Sequence, residues 1–271
     1  MAGRAAGGCQ LSAAAPATAR VVAVTGSASG IGAAVRRQLE AAGCRVIGVD
    51  LRAAEVVADL SAAAGRAAAA ARLASACGGH LDGLVCCAGV GPHVRPAELV
   101  VAVNYFGAVE LLDAMLPALA AGARPSAVVI ASNSAGFVPP DLRLVDALLA
   151  GAADAAAQAA AGLDGATAYA TGKLALIRAV RRRAGSWGER GVRLNAVAPG
   201  PVETALLRGS LDDPVLGPLT EALPVPLRRR ATPGEIAGVV GFLLGPAAGY
   251  IHGSVLFADG GSDALLRPDA L

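Results

Sequence analysis

The sequence predicts an α/β protein, a single domain in which helices cover both faces of a doubly wound parallel sheet. Short β-branched runs alternate with longer helical segments along most of the chain, and parallel strands need crossover segments of that length. Hydrophobic residues make up 55% and charged residues 16% of the chain. That composition suits strands that are buried on both faces of the sheet.

The elements are predicted in a simple alternating order. Strands are predicted at 21–24, 45–49, 81–87, 127–131, 192–197 and 254–258, and helices at 31–42, 62–77, 98–120, 167–187 and 233–244. Residues 20–271 therefore form one domain, and the Ala- and Gly-rich residues 1–19 are predicted to be a disordered leader.

Two segments interrupt the alternation. Residues 137–166 are rich in alanine and predict one or two helices inserted in a loop. Residues 201–232 are too long for an ordinary connection, so we expect a lid or substrate loop there. Its apolar side chains favour an apolar substrate: Leu206, Leu207, Leu211, Val215, Leu216, Leu219 and Leu223.

A glycine-rich turn joins the first strand to the first helix. Gly26, Gly30 and Gly32 lie in it. The N–H groups at a helix N-terminus favour an anion, and glycine lets a diphosphate approach the backbone closely. The turn therefore predicts a dinucleotide site, with a glycine turn that binds nothing as the alternative.

Asp50 favours the ligand-binding interpretation. It follows the second strand, eighteen positions after Gly32, where a dinucleotide fold places a carboxylate on the adenosine ribose. A carboxylate accepts hydrogen bonds from ribose hydroxyls but repels a 2′-phosphate, and no Lys or Arg lies between Gly26 and Gly32. We therefore expect NAD as the cofactor, with Arg52 as a side chain that could swing toward a phosphate.

Candidate catalytic groups follow along the chain. Tyr169 and Lys173 are four positions apart in a predicted helix and so share one face. An ammonium group beside a phenol lowers its pKa, which makes a proton donor or acceptor near neutral pH. Ser132 is predicted at the ligand edge of the sheet, with Ser134 as a rival. Asn104 is an amide in an apolar helix, which indicates either a functional group or a local hydrogen bond or kink.

Composition argues against several other classes of partner. The net charge is +2, and the one dense basic run, at 181–183, is interpreted as a solvated helix face, so no nucleic-acid partner is predicted. No apolar run reaches the length of a membrane span, so no membrane partner is predicted. The cysteines at 9, 44, 77, 86 and 87 lack metal-ligand spacing, which predicts free thiols, a cytoplasmic location and no metal.

Together the motifs resemble the short-chain dehydrogenase/reductase family over about residues 20–262. The resemblance rests on Thr25-Gly26-x-x-x-Gly30-x-Gly32, Ala88-Gly89, Asn104, Ser132, Tyr169-x-x-x-Lys173 and Pro199-Gly200. The chain is also similar to the bacterial 3α-hydroxysteroid dehydrogenase/carbonyl reductase branch, through Val49-Asp50-Leu51-Arg52, Asp82-Gly83-Leu84-Val85, Val103-Asn104-Tyr105-Phe106-Gly107 and the insertion before Tyr169. Coniferyl-alcohol dehydrogenases share this layout.

The resemblance implies a Rossmann-type fold and a role for each catalytic candidate. Tyr169 would be the general acid/base, and Lys173 would lower its pKa and bind the nicotinamide ribose. Ser132 would hydrogen-bond the substrate oxygen. Asn104 would hold a water in a proton relay to Lys173. The family often has Asn-Asn where this chain has Cys86-Cys87, so the chain departs from the family at a stabilising contact, although Ala88-Gly89 still allows close backbone approach.

The resemblance also implies the residues around the cofactor. Asp59 and Leu60 would frame the adenine, and Thr204 would bind the nicotinamide carboxamide. The full set implied to contact NAD is Gly26, Ser29, Gly30, Ile31, Gly32, Asp50, Asp59, Leu60, Ala88, Gly89, Tyr169, Lys173, Pro199, Gly200, Val202 and Thr204.

These features predict an oxidoreductase that moves a hydride between NAD(H) and a secondary alcohol or ketone of apolar, alicyclic or steroid-like character. A ketoreductase or aryl-alcohol dehydrogenase is the alternative among enzymes, and a non-catalytic dinucleotide-binding regulator is the alternative from another class. We also expect a homodimer, because the insertion at 137–166 enters beside helices that pair between subunits in many relatives.

Overall fold

The computed structural model describes residues 19–270, so the predicted leader falls, apart from Ala19, outside the described residues. The strands are β1 (Val21–Thr25), β2 (Arg45–Asp50), β3 (Val56–Val57), β4 (Gly83–Cys86), β5 (Ser126–Ile130), β6 (Arg193–Pro199) and β7 (Val255–Ala258). The helices are α1 (Gly30–Ala41), α2 (Ala63–Ala76), α3 (Ala97–Val101), α4 (Gly107–Ala120), α5 (Ser134–Phe137), α6 (Leu142–Leu149), α7 (Ala153–Ala161), α8 (Gly165–Glu189), α9 (Ala205–Leu211), α10 (Leu216–Glu221), α11 (Pro233–Leu244) and α12 (Ser262–Leu266).

The strands form one parallel sheet in the order β3-β2-β1-β4-β5-β6-β7. Side chains alternate between its faces, as the pleat requires. Val22 and Val24 pack with apolar residues of α1 and α11 on one face, and Ala23 packs with residues of α2, α4 and α8 on the other. The predicted doubly wound α/β fold with helices on both faces is confirmed.

The strand order reverses between β1 and β4, which places a crevice at their carboxyl ends. The chain runs from β1 outward to β2 and β3, then returns to β4 on the other side of β1. In open α/β sheets, ligands bind at such a switch point. The turn after β1 and the Ala88-Gly89 segment after β4 therefore meet at the expected ligand edge.

Several element boundaries differ from the sequence-based expectation. The structure adds the edge strand β3 and the short helix α12, which are too short to give a periodic signal. The helix predicted at 98–120 contains a π-helical turn at Ala102–Phe106, between α3 and α4. Strand β5 ends at Ile130, so Ser132 lies in the turn beyond the strand.

The two irregular segments contain helices. The predicted insertion at 137–166 holds α6 and α7, and its last two residues already belong to α8. The Asp164 carboxylate caps the first turn of α8 by accepting from the Thr167 N–H at 2.9 Å. The predicted substrate loop at 201–232 holds α9 and α10. Only the tertiary structure defines these boundaries.

The continuous helix Ala97–Ala120 corrects the expectation about apolar length. It has 24 residues and is long and apolar enough to cross a membrane by length and composition. Most of its apolar stretch is nevertheless buried, with Leu111, Leu112 and Met115 each about 1% exposed in the core beside the sheet. A core helix that is covered on several sides has this composition without a membrane.

Candidate active site

The turn after β1 forms a cradle that side chains would fill. Gly26 and Gly30 have φ angles of +66° and +53°, which favour glycine. A Cβ at Gly26 would come within 2.8 Å of the Ala88 backbone nitrogen, and one at Gly32 would collide with the Gly26 carbonyl. Ser29, the N-cap of α1, makes no side-chain hydrogen bond to the first turn. The N–H groups of that turn are therefore open to an anion.

The Asp50 carboxylate lies beside this cradle. One of its oxygens accepts from the Ala28 N–H at 2.9 Å and the other from the Leu51 N–H at 2.7 Å. Asp59, by contrast, is exposed, and the side chain of Ser61, followed by the Ser61 N–H that donates to the carboxylate, holds its pKa below the usual range. Leu60, next along the chain, is buried.

The turn after β5 and helix α8 bring three catalytic candidates together. The Ser132 hydroxyl accepts hydrogen bonds from the Ser134 hydroxyl at 2.9 Å and from the Ser134 N–H at 3.2 Å. The Ser132 side chain also acts on the phenol of Tyr169, whose pKa it lowers. Lys173, one turn along α8, has its Nζ 5.6 Å from the centre of the Tyr169 ring.

The pKa shifts in this cluster differ from the sequence-based expectation. Burial raises the pKa of Tyr169, and the influence of the Ser132 side chain, which lowers it, is smaller. Lys173 is not among the groups that shift the Tyr169 pKa, so the lowering expected from this lysine is absent. Burial also lowers the pKa of Lys173 to about 8, although the Cys87 thiol nearby acts to raise it. A buried ammonium is itself destabilised, so it has less power to stabilise a phenolate.

Asn104 lies in the π-helical turn, and its amide is engaged on both sides. The Val90 N–H donates to Asn104 Oδ1 at 2.8 Å, and Asn104 Nδ2 donates to the Val90 carbonyl at 3.0 Å. A Cβ at Gly89 would approach Asn104 Oδ1 at 3.0 Å. The local hydrogen bond and the helix irregularity predicted as alternatives are thus both present. The side chain fixes the segment after β4 against the helix, and π-turns of this kind are frequent at functional sites.

The segment after β6 closes the other side of the crevice. Gly200 approaches Asp259 so closely that a Cβ would lie 2.9 Å from its Cα. Thr204 caps α9 by accepting from the Leu207 N–H at 3.2 Å, and its methyl group lies 3.4 Å from where a Cβ of Gly30 would be. The start of the substrate loop therefore touches the glycine turn. Val202 is held there by a bridge to Ala231.

A single cleft of about 480 Å³ runs from the glycine turn to the catalytic cluster. Its polar wall includes Ser132, Tyr169 and Lys173. Its apolar wall comes from three separate segments: Val90, Pro92, Phe137, Val138, Ala166, Leu206, Leu207, Leu216, Leu219 and Leu223. Leu211 and Val215 of the substrate loop were also predicted to line the cleft. Neither is a lining residue, and Val215 is 70% exposed.

Sequence reasoning missed several residues of the site. Phe137 and Val138 enter the cleft from the insertion, although no periodic signal marks them. Asp259 accepts from the Asp263 N–H at 2.7 Å and from Asn133 Nδ2 at 3.4 Å, so it ties the chain after β7 to the Ser132 turn. The sequence analysis identified neither Asp259 nor its partner Asn133, because no local pattern marks their contact.

The crevice fits a dinucleotide. The open N–H groups and missing side chains of the glycine turn suit a diphosphate, and the Asp50 carboxylate suits ribose hydroxyls. The buried hydroxyl of Ser27 has no hydrogen-bond partner within residues 19–270. Unpaired buried polar atoms are rare in folded proteins, and this one lies in the wall beside the turn.

Comparison with known proteins agrees with this geometry. The family model described as short chain dehydrogenase matches residues 20–143, and that described as enoyl-(acyl carrier protein) reductase matches residues 147–263. The chain is 48% identical to the 3-alpha-hydroxysteroid dehydrogenase/carbonyl reductase of Comamonas testosteroni, over 92% of this chain and 98% of that protein.

Solved structures show the same similarity. The 3-alpha-hydroxysteroid dehydrogenase from Pseudomonas sp. B-0831, solved with NADH, superposes with a TM-score of 0.90 at 48% identity, over 93% of this chain and all of that one. The aldohexose dehydrogenase of Thermoplasma acidophilum, at 24% identity and a TM-score of 0.71 over 93% and 95% of the two chains, shows the fold alone. The chain therefore belongs to the short-chain dehydrogenase/reductase family, and it is an oxidoreductase that acts on hydroxyl or carbonyl groups with a nicotinamide dinucleotide, as predicted.

Proposed function

We propose that this enzyme interconverts a secondary alcohol and a ketone on an apolar, alicyclic or steroid-like molecule, with NAD(H) as its cofactor. The observation that carries the proposal is the cleft, whose apolar wall ends at Ser132 and Tyr169. A cavity of a few hundred Å³ with few polar groups suits a rigid apolar ligand oriented at one oxygen.

The names of the relatives support the same substrate class. Both proteins that are 48% identical to this chain carry 3-alpha-hydroxysteroid dehydrogenase in their names, and one was solved with NADH. Fold alone does not fix a substrate, since specificity depends on the loops. Here those loops supply leucine, valine, proline and phenylalanine side chains to the cleft.

In the proposed reduction, Tyr169 gives its phenolic proton to the carbonyl oxygen. A raised pKa keeps that phenol protonated before the reaction. The Ser132 hydroxyl donates to the same oxygen as negative charge develops, and Ser134 holds the orientation of that hydroxyl. The nicotinamide supplies or accepts the hydride when it is bound.

Lys173 and Asn104 support Tyr169 and Ser132 in this reaction. Lys173 is fixed within the site and supplies positive charge beside the phenol during alcohol oxidation, when Tyr169 must lose its proton. Asn104 keeps the segment after β4 in place through Val90. The oxygen and the nitrogen of the Asn104 side-chain amide are both hydrogen-bonded to Val90. A water relay to Lys173 would therefore use the main-chain carbonyl of Asn104 or the second hydrogen of its amide.

The chain's own residues would hold the cofactor along the crevice. Gly26, Gly30 and Gly32 would accommodate the diphosphate, and Asp50 would accept from the adenosine ribose. The buried Leu60 would lie against the adenine, with Asp59 at its exposed edge. Thr204 would reach the carboxamide.

A substrate panel tests the proposed activity. The purified full-length protein is assayed with NAD⁺ by cofactor absorbance against a 3α-hydroxysteroid, a coniferyl-type alcohol and a 3-hydroxyacyl thioester. The highest kcat/KM is expected for the steroid, and Tyr169→Phe should abolish it. A clear preference for the aryl alcohol or the thioester would contradict the substrate class, and binding of NAD⁺ without turnover on any alcohol would favour a regulator.

We further propose a homodimer. Helices α6 and α7 of the insertion pack on α3 and α8, where they cover a face that helices use for assembly in many relatives. A second surface around α11, β7 and α12 carries exposed apolar side chains: Phe242, Tyr250, Phe257, Leu265 and Leu266. Self-complementary pairing through this surface would give a closed pair.

We also propose a cytoplasmic location and one domain over residues 20–271. Support for the location comes from the thiols of Cys44, Cys77, Cys86 and Cys87, which are all free. Cys9 lies outside the described residues. Subcellular fractionation with an antibody against the full chain tests the location.

A further inference from the structure

A second groove, of about 700 Å³, adjoins the glycine turn. Ser27 and Ala28 of that turn form part of its wall, and Arg36, Arg37, Glu40 and Glu55 supply its charged side chains. Because the Ala28 N–H donates to the Asp50 carboxylate, Asp50 lies at the edge of this groove. The groove therefore borders the place proposed for the adenosine ribose.

Arg36 is held in the groove by two carboxylates. Its Nη1 and Nη2 donate to the two oxygens of Glu55 at 3.0 and 2.7 Å, and its Nε donates to Glu40 at 2.8 Å. Each nitrogen of the guanidinium thus has a carboxylate partner. A guanidinium in this state has no free edge for the paired hydrogen bonds with which arginine recognises a phosphate.

Glu55 is in turn fixed to the strand that leads to Asp50. Its Oε2 accepts from the Gly48 N–H at 2.7 Å, two residues before Asp50 in β2. A Cβ at Gly48 would lie 2.9 Å from both Arg36 Nη1 and Glu55 Oε2 and would collide with Ser27 Oγ. The ion pair therefore lies directly over Gly48, at a fixed place relative to Asp50.

The groove also contains an unused polar group. Ser27 is 3% exposed, and its hydroxyl has no hydrogen-bond partner within residues 19–270. The hydroxyl points to the same spot over Gly48 as the Arg36 guanidinium. A 2′-phosphate on the ribose would need a hydroxyl and a guanidinium as hydrogen-bond donors. Here Glu55 already occupies the guanidinium of Arg36.

We propose that Glu55 is a specificity-determining residue that excludes NADP(H) by occupying Arg36 and by adding a second carboxylate beside Asp50. Two arginines and two glutamates leave the groove without net charge, and Asp50 makes its edge negative. Loss of the Glu55 charge would free the Nη1–Nη2 edge of Arg36, while Nε stays on Glu40, and would remove that excess. This inference rests on the proposed use of NAD(H).

Equilibrium binding separates this role from a structural one. Isothermal titration calorimetry of NAD⁺ and NADP⁺ is performed on the wild type, Glu55→Gln, Arg36→Gln and the double variant. Glutamine keeps an oxygen for the Gly48 N–H, so the loop geometry is preserved. Asp113→Asn is the matched control, because Asp113 also forms a two-bond pair with an arginine, Arg183, and contributes no side chain to the groove.

Glu55→Gln is expected to raise the affinity for NADP⁺ about tenfold while the affinity for NAD⁺ changes less than about twofold. The double variant should lose that gain, and Asp113→Asn should show none. Three results would each overturn the proposal: equal changes for both cofactors, a gain that persists without Arg36, or the same gain in Asp113→Asn. A wild type that prefers NADP⁺ would contradict the proposed cofactor instead, and Glu55→Gln should still tighten NADP⁺.

Discussion

The Nζ of Lys173 donates a 2.7 Å hydrogen bond to the main-chain carbonyl of Ile130, the last residue of β5. The ammonium is thereby tied to the strand end that precedes the Ser132 turn. This bond fixes Lys173 beneath the Tyr169 ring in a buried place, and burial lowers the pKa of the lysine to about 8.

A pH dependence of stability follows from that depressed pKa. An unfolded lysine titrates near 10.5, so between pH 8 and 10.5 the unfolded chain binds more protons than the folded one. The contribution of Lys173 to the unfolding free energy therefore rises with pH through this window and is lost as pH falls through about 8. Urea unfolding of the protein without cofactor should show that the stability of the wild type, relative to that of Lys173→Met, rises with pH in this window. A pH-independent difference would contradict the prediction.

Tyr169→Phe should remove nearly all turnover and leave cofactor binding in place. The ring and its packing stay, and only the transferable proton is lost, which should lower kcat at least about 10²-fold. Steady-state kinetics with a titration of NADH binding measures both quantities. Retention of more than a tenth of wild-type kcat would show that another group transfers the proton.

Ser132→Ala should lower kcat about 10²-fold, because the substrate oxygen loses a donor as negative charge develops. Ser134→Ala should cost only a few-fold, since Ser134 acts by orienting the Ser132 hydroxyl. The two variants remove the same hydroxyl group two residues apart and serve as controls for one another. A larger loss in Ser134→Ala would reverse the assignment of these serines.

NAD(H) should give the higher kcat/KM of the two cofactors. The Asp50 carboxylate is oriented by two N–H groups, so it cannot easily turn away from a 2′-phosphate. Asp50→Asn should reduce the ratio of kcat/KM with NAD(H) to that with NADP(H), because it weakens the repulsion between residue 50 and the 2′-phosphate. Turnover with NADP(H) equal to or better than that with NAD(H) in the wild type would refute the assignment.

Light scattering at micromolar concentration should give a particle of about two chain masses, each 26.5 kDa. Phe242→Glu, on α11, should produce monomers, because Phe242 is 43% exposed on the proposed surface. Leu142→Glu is the matched control, since Leu142 is an exposed residue of the insertion helix α6. A particle of four chain masses, or monomers from Leu142→Glu alone, would contradict the prediction.

The sequence determined the fold class and the position of the chemistry along the chain. Strand and helix periodicity, the glycines after β1 and the Tyr169–Lys173 spacing are local signals, because each arises within one or two turns of backbone. Such signals were sufficient to predict the sheet, the crevice and the presence of Ser132, Tyr169 and Lys173 along its wall.

Only the tertiary structure decided how those residues act on one another. Asn104 pairs with Val90 across 14 positions of the chain, and Glu55 occupies Arg36 across 19 positions. The burial that raises the pKa of Tyr169 also depends on elements that are distant in the sequence. Their geometry depends on how elements pack across the sheet, and a one-dimensional pattern carries no distance between elements. Desolvation in particular is a property of the assembled site, so the protonation of Tyr169 and Lys173 followed from the fold and not from their spacing.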